Sequence, residues 1–182
     1  MRMLAAVALA ATAMAACARP DVALIPQEEL PADLYGTPTP ARIASLPERG
    51  TVWLVRDGRL APVPRRLPEA GSLPEALVRG LLLGPRGATR SAIPDDTRFI
   101  GVRVDGDGVA TVDASEEFER SAPGEELALR VAQVVFTLTE APQVVAVAFS
   151  IEGRTAGVIA GNRQVVTRPV TRDDYRRFEP ES

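Results

Sequence analysis

The run from Gly124 to Ile151 constrains the fold of this chain most, because an apolar pattern of helical period passes there into one of strand period. Leu127, Val131, Val134, Val135 and Leu138 recur at i, i+4, i+7, i+8 and i+11, with Ala128 and Ala132 beside them. That spacing predicts a helix with one buried face. Gly124 opens the run and Ala141-Pro142 closes it, since a residue before proline is driven out of the helical region. After Gln143 the period becomes two: Val145, Val147, Phe149 and Ile151 fall on one face of a strand, Val144, Ala146, Ala148 and Ser150 on the other. With both faces apolar or small, this strand is expected inside a sheet, flanked by strands and covered by helices on at least one side. Glu152-Gly153 marks the turn out.

The remaining elements arrange themselves around that unit. Thr51 to Arg56 is β-branched and aromatic, Asp57-Gly58 is a hairpin turn, and Leu60 to Arg65 is a partner strand that Pro62 and Pro64 hold to an edge. Ser72-Leu73-Pro74-Glu75 fits a capping box ahead of a short helix with Leu73, Leu77 and Leu81 on its apolar stripe, and Gly84-Pro85 stops it. Gly84 to Pro94 reads as a loop. Thr97 to Val104 and Val109 to Asp113 are strands joined by Asp105-Gly106-Asp107-Gly108. Val158-Ile159 and Gln164 to Thr167 suggest an edge hairpin, and Thr171 to Tyr175 a last capped turn. The order strand, helix, strand occurs twice, which predicts an α+β fold of split βαβ type (βαββαβ): a sheet of about four to six strands with two main helices on one face.

Residues 1–16 read as an export signal: Arg2, an apolar centre from Leu4 to Ala11, and a small-residue cleavage region. Met14-Ala15-Ala16-Cys17 resembles a bacterial lipobox, which makes Cys17 the expected lipidation site and mature N-terminus. The alternative is an ordinary secretory peptide followed by a free thiol, an awkward state for a lone cysteine in an exported protein. Several acyl chains on one residue suffice for stable anchoring, at about 0.8 kcal/mol per buried methylene. Residues 17–49 carry a run of prolines without sustained periodicity and read as a tether, although Leu24, Ile25, Leu34 and Tyr35 offer a means of packing back. The expected organisation is therefore a signal peptide at 1–16, the lipidated cysteine and tether at 17–49, a folded domain at 50–178 and a tail at 179–182. The expected location is the extracytoplasmic face of the cell membrane.

The inventory of side chains excludes most chemistry. There is no histidine and no lysine, so neither Ser-His nor Ser-Lys activation of a nucleophile is available. One cysteine rules out an intrachain disulfide and Cys-cluster zinc sites. With a net charge of -3 and interspersed signs, no basic stripe marks a nucleic-acid surface. No cofactor, metal or nucleic-acid partner is expected, and no enzymatic activity.

Some residues invite a functional reading. Gln133, Thr137 and Thr139 are polar in an otherwise apolar helix, and a buried amide or hydroxyl needs a partner. A structural account has Thr137 bonding the carbonyl of Gln133 and Gln133 anchoring the Gly-Pro loop; the other account has Gln133 touching a ligand. Arg86 and Arg90 on a glycine-containing loop can hold a carboxylate or phosphate between them. Asp105 and Asp107 begin like a calcium loop, but Val109 occupies the next ligand position, so a glycine-rich turn fits better. Asp113, Glu116 and Glu117 are the carboxylates from which a glycosidase pair would be drawn, against which stand the 4% aromatic content and small size.

Several segments resemble the GerMN domain of sporulation and spore-germination proteins: Thr51 to Gly58, Leu81-Leu82-Leu83-Gly84-Pro85, Arg90-Ser91-Ala92-Ile93-Pro94, Gly108 to Asp113 and Gln133 to Glu140, in the family's order. The resemblance implies an envelope domain of bacterial lipoproteins that serves as an interaction or assembly module without established catalytic residues. In that family it works with secretion-like ring complexes in sporulation, or beside a β-propeller in lipoproteins that influence a sensor kinase. These residues hold one copy of the pattern and no propeller. The expected partner is thus another envelope protein, with a wall-polymer or small-ligand module as the second reading and a carboxylate hydrolase as the third.

Overall fold

The computed structural model describes residues 46–180, so the signal peptide, Cys17, nearly all of the tether and the end of the tail lie outside the described residues. The domain begins with a hairpin of β1 (Arg49–Arg56) and β2 (Arg59–Arg66). Asp57 and Gly58 both have positive φ (49° and 76°), the backbone a tight hairpin turn needs. Trp53 pairs with Pro62 and Thr51 with Pro64. Trp53 and Val55 send their amides away from β2, to Thr137 and Arg90. By the alternation of an antiparallel ladder, Pro62 and Pro64 face outward too and cost the hairpin no hydrogen bond.

α1 (Leu73–Leu82) starts at Ser72, whose Oγ accepts from Glu75 N at 3.3 Å. The Glu75 carboxylate reaches back to the amide of Gly71 and not that of Ser72, a variant of the expected box. Gly84, with φ of 80°, turns the chain out of the helix.

The main sheet has four strands in the order β3 (Phe99–Val104), β4 (Val109–Ala114), β5 (Ala146–Ile151), β6 (Arg154–Thr155). β4 and β5 are parallel and joined through α2 (Gly124–Leu138); the other pairs are antiparallel. A short pair, β7 (Val158–Ile159) with β8 (Val165–Val166), and a 3-10 segment at Arg172–Phe178 complete the domain. Thr171 and Asp174 form the expected capping box of that segment.

The class is α+β, as expected, but its strands are distributed differently from a split βαβ sheet. β4 and β5 are direct neighbours, and β1–β2 keeps its own ladder. The reason lies at the outer edge of β1, which Arg90 and side chains of α2 occupy. α2 touches both the hairpin and the sheet, and every residue from Ala128 to Leu138 is buried, so the helix is covered all round. Ala110, Val112, Ala114, Val147, Phe149 and Ile151 form the sheet's contribution to the core. Val145, expected on the same face, is 61% exposed: β5 begins one residue later, and the amide of Val145 bonds Gly108 O instead.

Candidate functional site

A polar stripe runs along α2 and continues past its end: Glu126, Arg130, Gln133, Thr137 and Glu140, spaced by four, three, four and three residues. That spacing puts them on one face, and all five hold other parts of the chain. Glu126 receives both terminal nitrogens of Arg90, at 2.5 and 2.7 Å. Arg130, almost fully buried, donates to the carbonyls of Ala92, Phe118 and Arg120; burial, opposed by Glu126, pushes its guanidinium below the ordinary value. Gln133, fully buried, accepts from Ala92 N at 2.5 Å and donates to Trp53 O at 3.2 Å. Thr137 Oγ1 accepts from Trp53 N at 3.0 Å. Thr137 therefore reaches across to β1, and it is Thr139 that bonds a carbonyl of its own helix, Val135 O. Glu140 accepts from Trp53 Nε1 and from Arg172, whose guanidinium lies over both the Trp53 and Phe136 rings. Both polar ends of the Gln133 amide are thus engaged within the chain, and its role is to join β1, α2 and the 90–93 loop.

The two loop arginines part company. Arg90 is turned to α2, where hydrogen bonding to Glu126 holds its guanidinium above the ordinary value. Arg86 does not join it. It lies instead with Arg65, Arg66, Leu67, Pro68, Glu69, Leu83 and Pro85 around a groove of about 580 Å³. The anion clamp expected from Arg86 and Arg90 does not assemble; Arg86 lies instead beside Arg65 and Arg66 of β2.

Of the candidate carboxylates, Asp113 is engaged within the chain. Asp113 Oδ1 accepts from Ser150 Oγ at 2.9 Å and Gly153 N at 3.0 Å, which fastens the β5–β6 turn. The Ser115 hydroxyl and the backbone amide hold Glu117 below the usual carboxylate range, opposite to what a general acid needs. A bowl of about 570 Å³ on the open face of the sheet is lined by Arg103, Thr111, Asp113, Ser150 and Thr155 among others, with a single carboxylate. Asp105 Oδ1 accepts from the amides of Asp107 and Val109, the geometry of a turn. Among the described residues, no group of three ligating side chains converges for a metal, and no helix is long and apolar enough to cross a membrane.

The surface that offers unspent backbone is β3. It is the end strand of the sheet, and its ladder with β4 uses Gly101 and Arg103, next in register to the turn bond from Asp105 N to Val109 O. Val102 and Val104 consequently direct their amides and carbonyls outward, where no described residue bonds them. Ile100 stands in an irregularity of the ladder and is 54% exposed. Nothing local in the sequence distinguishes this strand from β4, since strand order is a tertiary property.

A family model described as Germane, sporulation and spore germination, matches residues 45–157, well over half of the chain. Among solved structures, the tandem GerMN domains of the sporulation protein GerM from Bacillus subtilis match with a TM-score of 0.57 at 23% identity, over 69% of this chain and 46% of that one. The first GerMN domain of the same protein matches with a TM-score of 0.51 at 24% identity, over 68% of this chain and 93% of that one. This chain thus covers about half the length of the tandem structure, and at these identities the likeness is one of fold. No curated protein matches the sequence.

Proposed function

Because this chain belongs to the Germane family of sporulation and spore germination domains, we propose that it is a non-catalytic interaction module. In this reading lipid on Cys17 holds it at the extracytoplasmic face of the cell membrane, and it binds another envelope protein by receiving one of that protein's strands along β3. The observation that carries the reading is the edge of β3, with outward amides at Val102 and Val104 and an exposed apolar anchor at Ile100. An unpaired strand of this kind is a template for strand addition, in which main-chain bonds supply affinity and side chains such as Ile100 supply choice of partner. The side-chain inventory supports the absence of catalysis, with no histidine or lysine and two of the three candidate carboxylates, Asp113 and Glu117, engaged or held low.

The test is crosslinking in intact cells with a tagged full-length chain, its Ile100→Lys variant and its Cys17→Ala variant. Capture of one envelope protein by the native chain, lost in both variants, is the expected result. Capture unaffected by Ile100→Lys refutes strand addition at β3. The bowl holding Arg103, Thr111, Asp113 and Ser150 favours a second reading, a wall-polymer module; recovery of wall fragments alone, equally from all three forms, would establish that one instead.

A further inference from the structure

The groove between β2 and the end of α1 has chemistry that the β3 edge does not share. Arg65 is 6% exposed, and its two terminal nitrogens donate to Gly80 O at 2.6 Å and Gly84 O at 2.9 Å, the carbonyls at the C-terminal end of α1. No carboxylate pairs with it among the described residues, and its Nε has no hydrogen-bond partner. Burial first, then the neighbouring Arg86, depress its guanidinium. Arg66 adds a third positive charge, largely exposed, with only a loose 3.8 Å pairing to the equally exposed Glu48. Against three guanidiniums the groove carries one carboxylate, Glu69.

The lining also has an apolar part. Leu83, 62% exposed, lines the groove together with Leu67, Pro68 and Pro85. An exposed leucine next to positive charge that no close carboxylate neutralises fits an occupant that is both apolar and acidic. Inorganic phosphate has no use for the leucines, and a membrane surface, being flat, does not enter a concave groove of about 580 Å³.

We propose that this groove docks an acidic peptide segment with interleaved aliphatic residues, contributed by a partner protein. Arg66 and Arg86 take its carboxylates, Leu83 with Pro68 and Pro85 takes its aliphatic side chains, and buried Arg65 supplies a fixed positive field from the floor while holding the end of α1. The site is separate from strand addition at β3, and a partner engaging both would gain by linkage.

The experiment selects a display library of random dodecapeptides on the full-length chain in detergent and, in parallel, on Arg66→Glu/Arg86→Glu and Leu83→Ser variants. These positions lie at the surface, and circular dichroism verifies that each variant is folded. Enriched peptides are expected to carry at least two acidic residues flanked by leucine, isoleucine or valine. Their binding should fall about tenfold or more in the charge-reversed variant and severalfold in Leu83→Ser, and should weaken with salt. Enrichment without acidic residues, or with equal binding to the variants, overturns the proposal. So does competition by millimolar inorganic phosphate that leaves no dependence on Leu83, which would reduce the groove to an anion site. Phosphatidylglycerol vesicles form the last arm: Arg66- and Arg86-dependent binding to them, with no peptide enriched, would assign the patch to the membrane. Ile100→Lys should leave peptide binding unchanged, so failure here and failure of the β3 reading are told apart.

Discussion

Gln133→Leu removes a side chain that joins three parts of the domain at once. The buried Ala92 N and the half-buried Trp53 O lose their partners, and each orphaned group costs about 1–3 kcal/mol. Leucine fills a similar volume and returns about 1–2 kcal/mol of apolar transfer, so the net loss is roughly 1–4 kcal/mol. For a domain of this size that lowers the melting temperature by roughly 10 °C, measured by differential scanning calorimetry. Gln133→Glu sharpens the test. Its carboxylate can still accept from Ala92 N but meets Trp53 O, which requires a donor, so the folded state favours the protonated acid and raises its pKa above the unfolded value of about 4.3. A raised pKa contributes stability that is present below the unfolded pKa and lost as pH rises through the folded one. The glutamate variant should therefore approach native stability near pH 4 and lose it towards neutrality, whereas the leucine variant shows a deficit at both. A leucine variant with an unchanged melting temperature, or a glutamate variant whose deficit ignores pH, would refute the account of Gln133 as a clip between β1 and the 90–93 loop.

Gly108 has φ of 79°, and a Cβ there would lie 2.9 Å from Gln143 O, a backbone atom; Gly108→Ala should cost about 2–3 kcal/mol in urea unfolding, while Gly106→Ala, with open space around its Cβ, should cost under about 1 kcal/mol. Tyr175 is fully buried and donates to Ile159 O, and burial, then Asp174, push its phenol well above the ordinary value. Its stabilising share is thus whole below about pH 10 and lost as pH climbs further; in a Tyr35→Phe chain, absorbance at 295 nm should change only together with loss of circular dichroism, and ionisation near pH 10 in a still-folded protein would contradict this. Arg172→Ala removes the cation over Trp53 and the ion pair with Glu140; a loss of about 1–2 kcal/mol and a shifted emission from the sole tryptophan are expected, and an unaltered spectrum would count against the stacking.

What could be read beforehand was whatever depends on near neighbours in the chain. The α2–β5 unit, the Asp57-Gly58 turn and the Ser72 start of α1 all follow from patterns spanning a few residues. Gln133 was legible as a polar residue in need of a partner, and even its loop was, but Trp53 O was not, because the partner lies 80 residues away. Thr137 misled for the same reason: a local bond to its own helix was available on paper, and a strand 84 residues distant took it. The arginine pair failed through topology, since Arg86 and Arg90 are close in sequence yet one faces β2 and the other α2. Arg65 looked like an ordinary strand residue, and only the return of the chain past Gly84 made it the floor of a groove.

The clasp between Trp53 and α2 also sets an order of assembly. The hairpin can close on its own within microseconds, yet the groups that complete β1 sit 80, 84 and 87 residues further along. A chain that emerges from its amino end therefore holds a finished hairpin with one edge bare, apart from the Val55–Arg90 bridge, until residue 140 has appeared, and the long loop must then be closed against its entropy. During that interval a stray strand could capture β1. The opposite edge offers no such opening at two points, because Pro62 and Pro64 turn their imino nitrogens outward and have no hydrogen to give. The half-built protein is left with a single vulnerable side, the one that its own central helix arrives to cover.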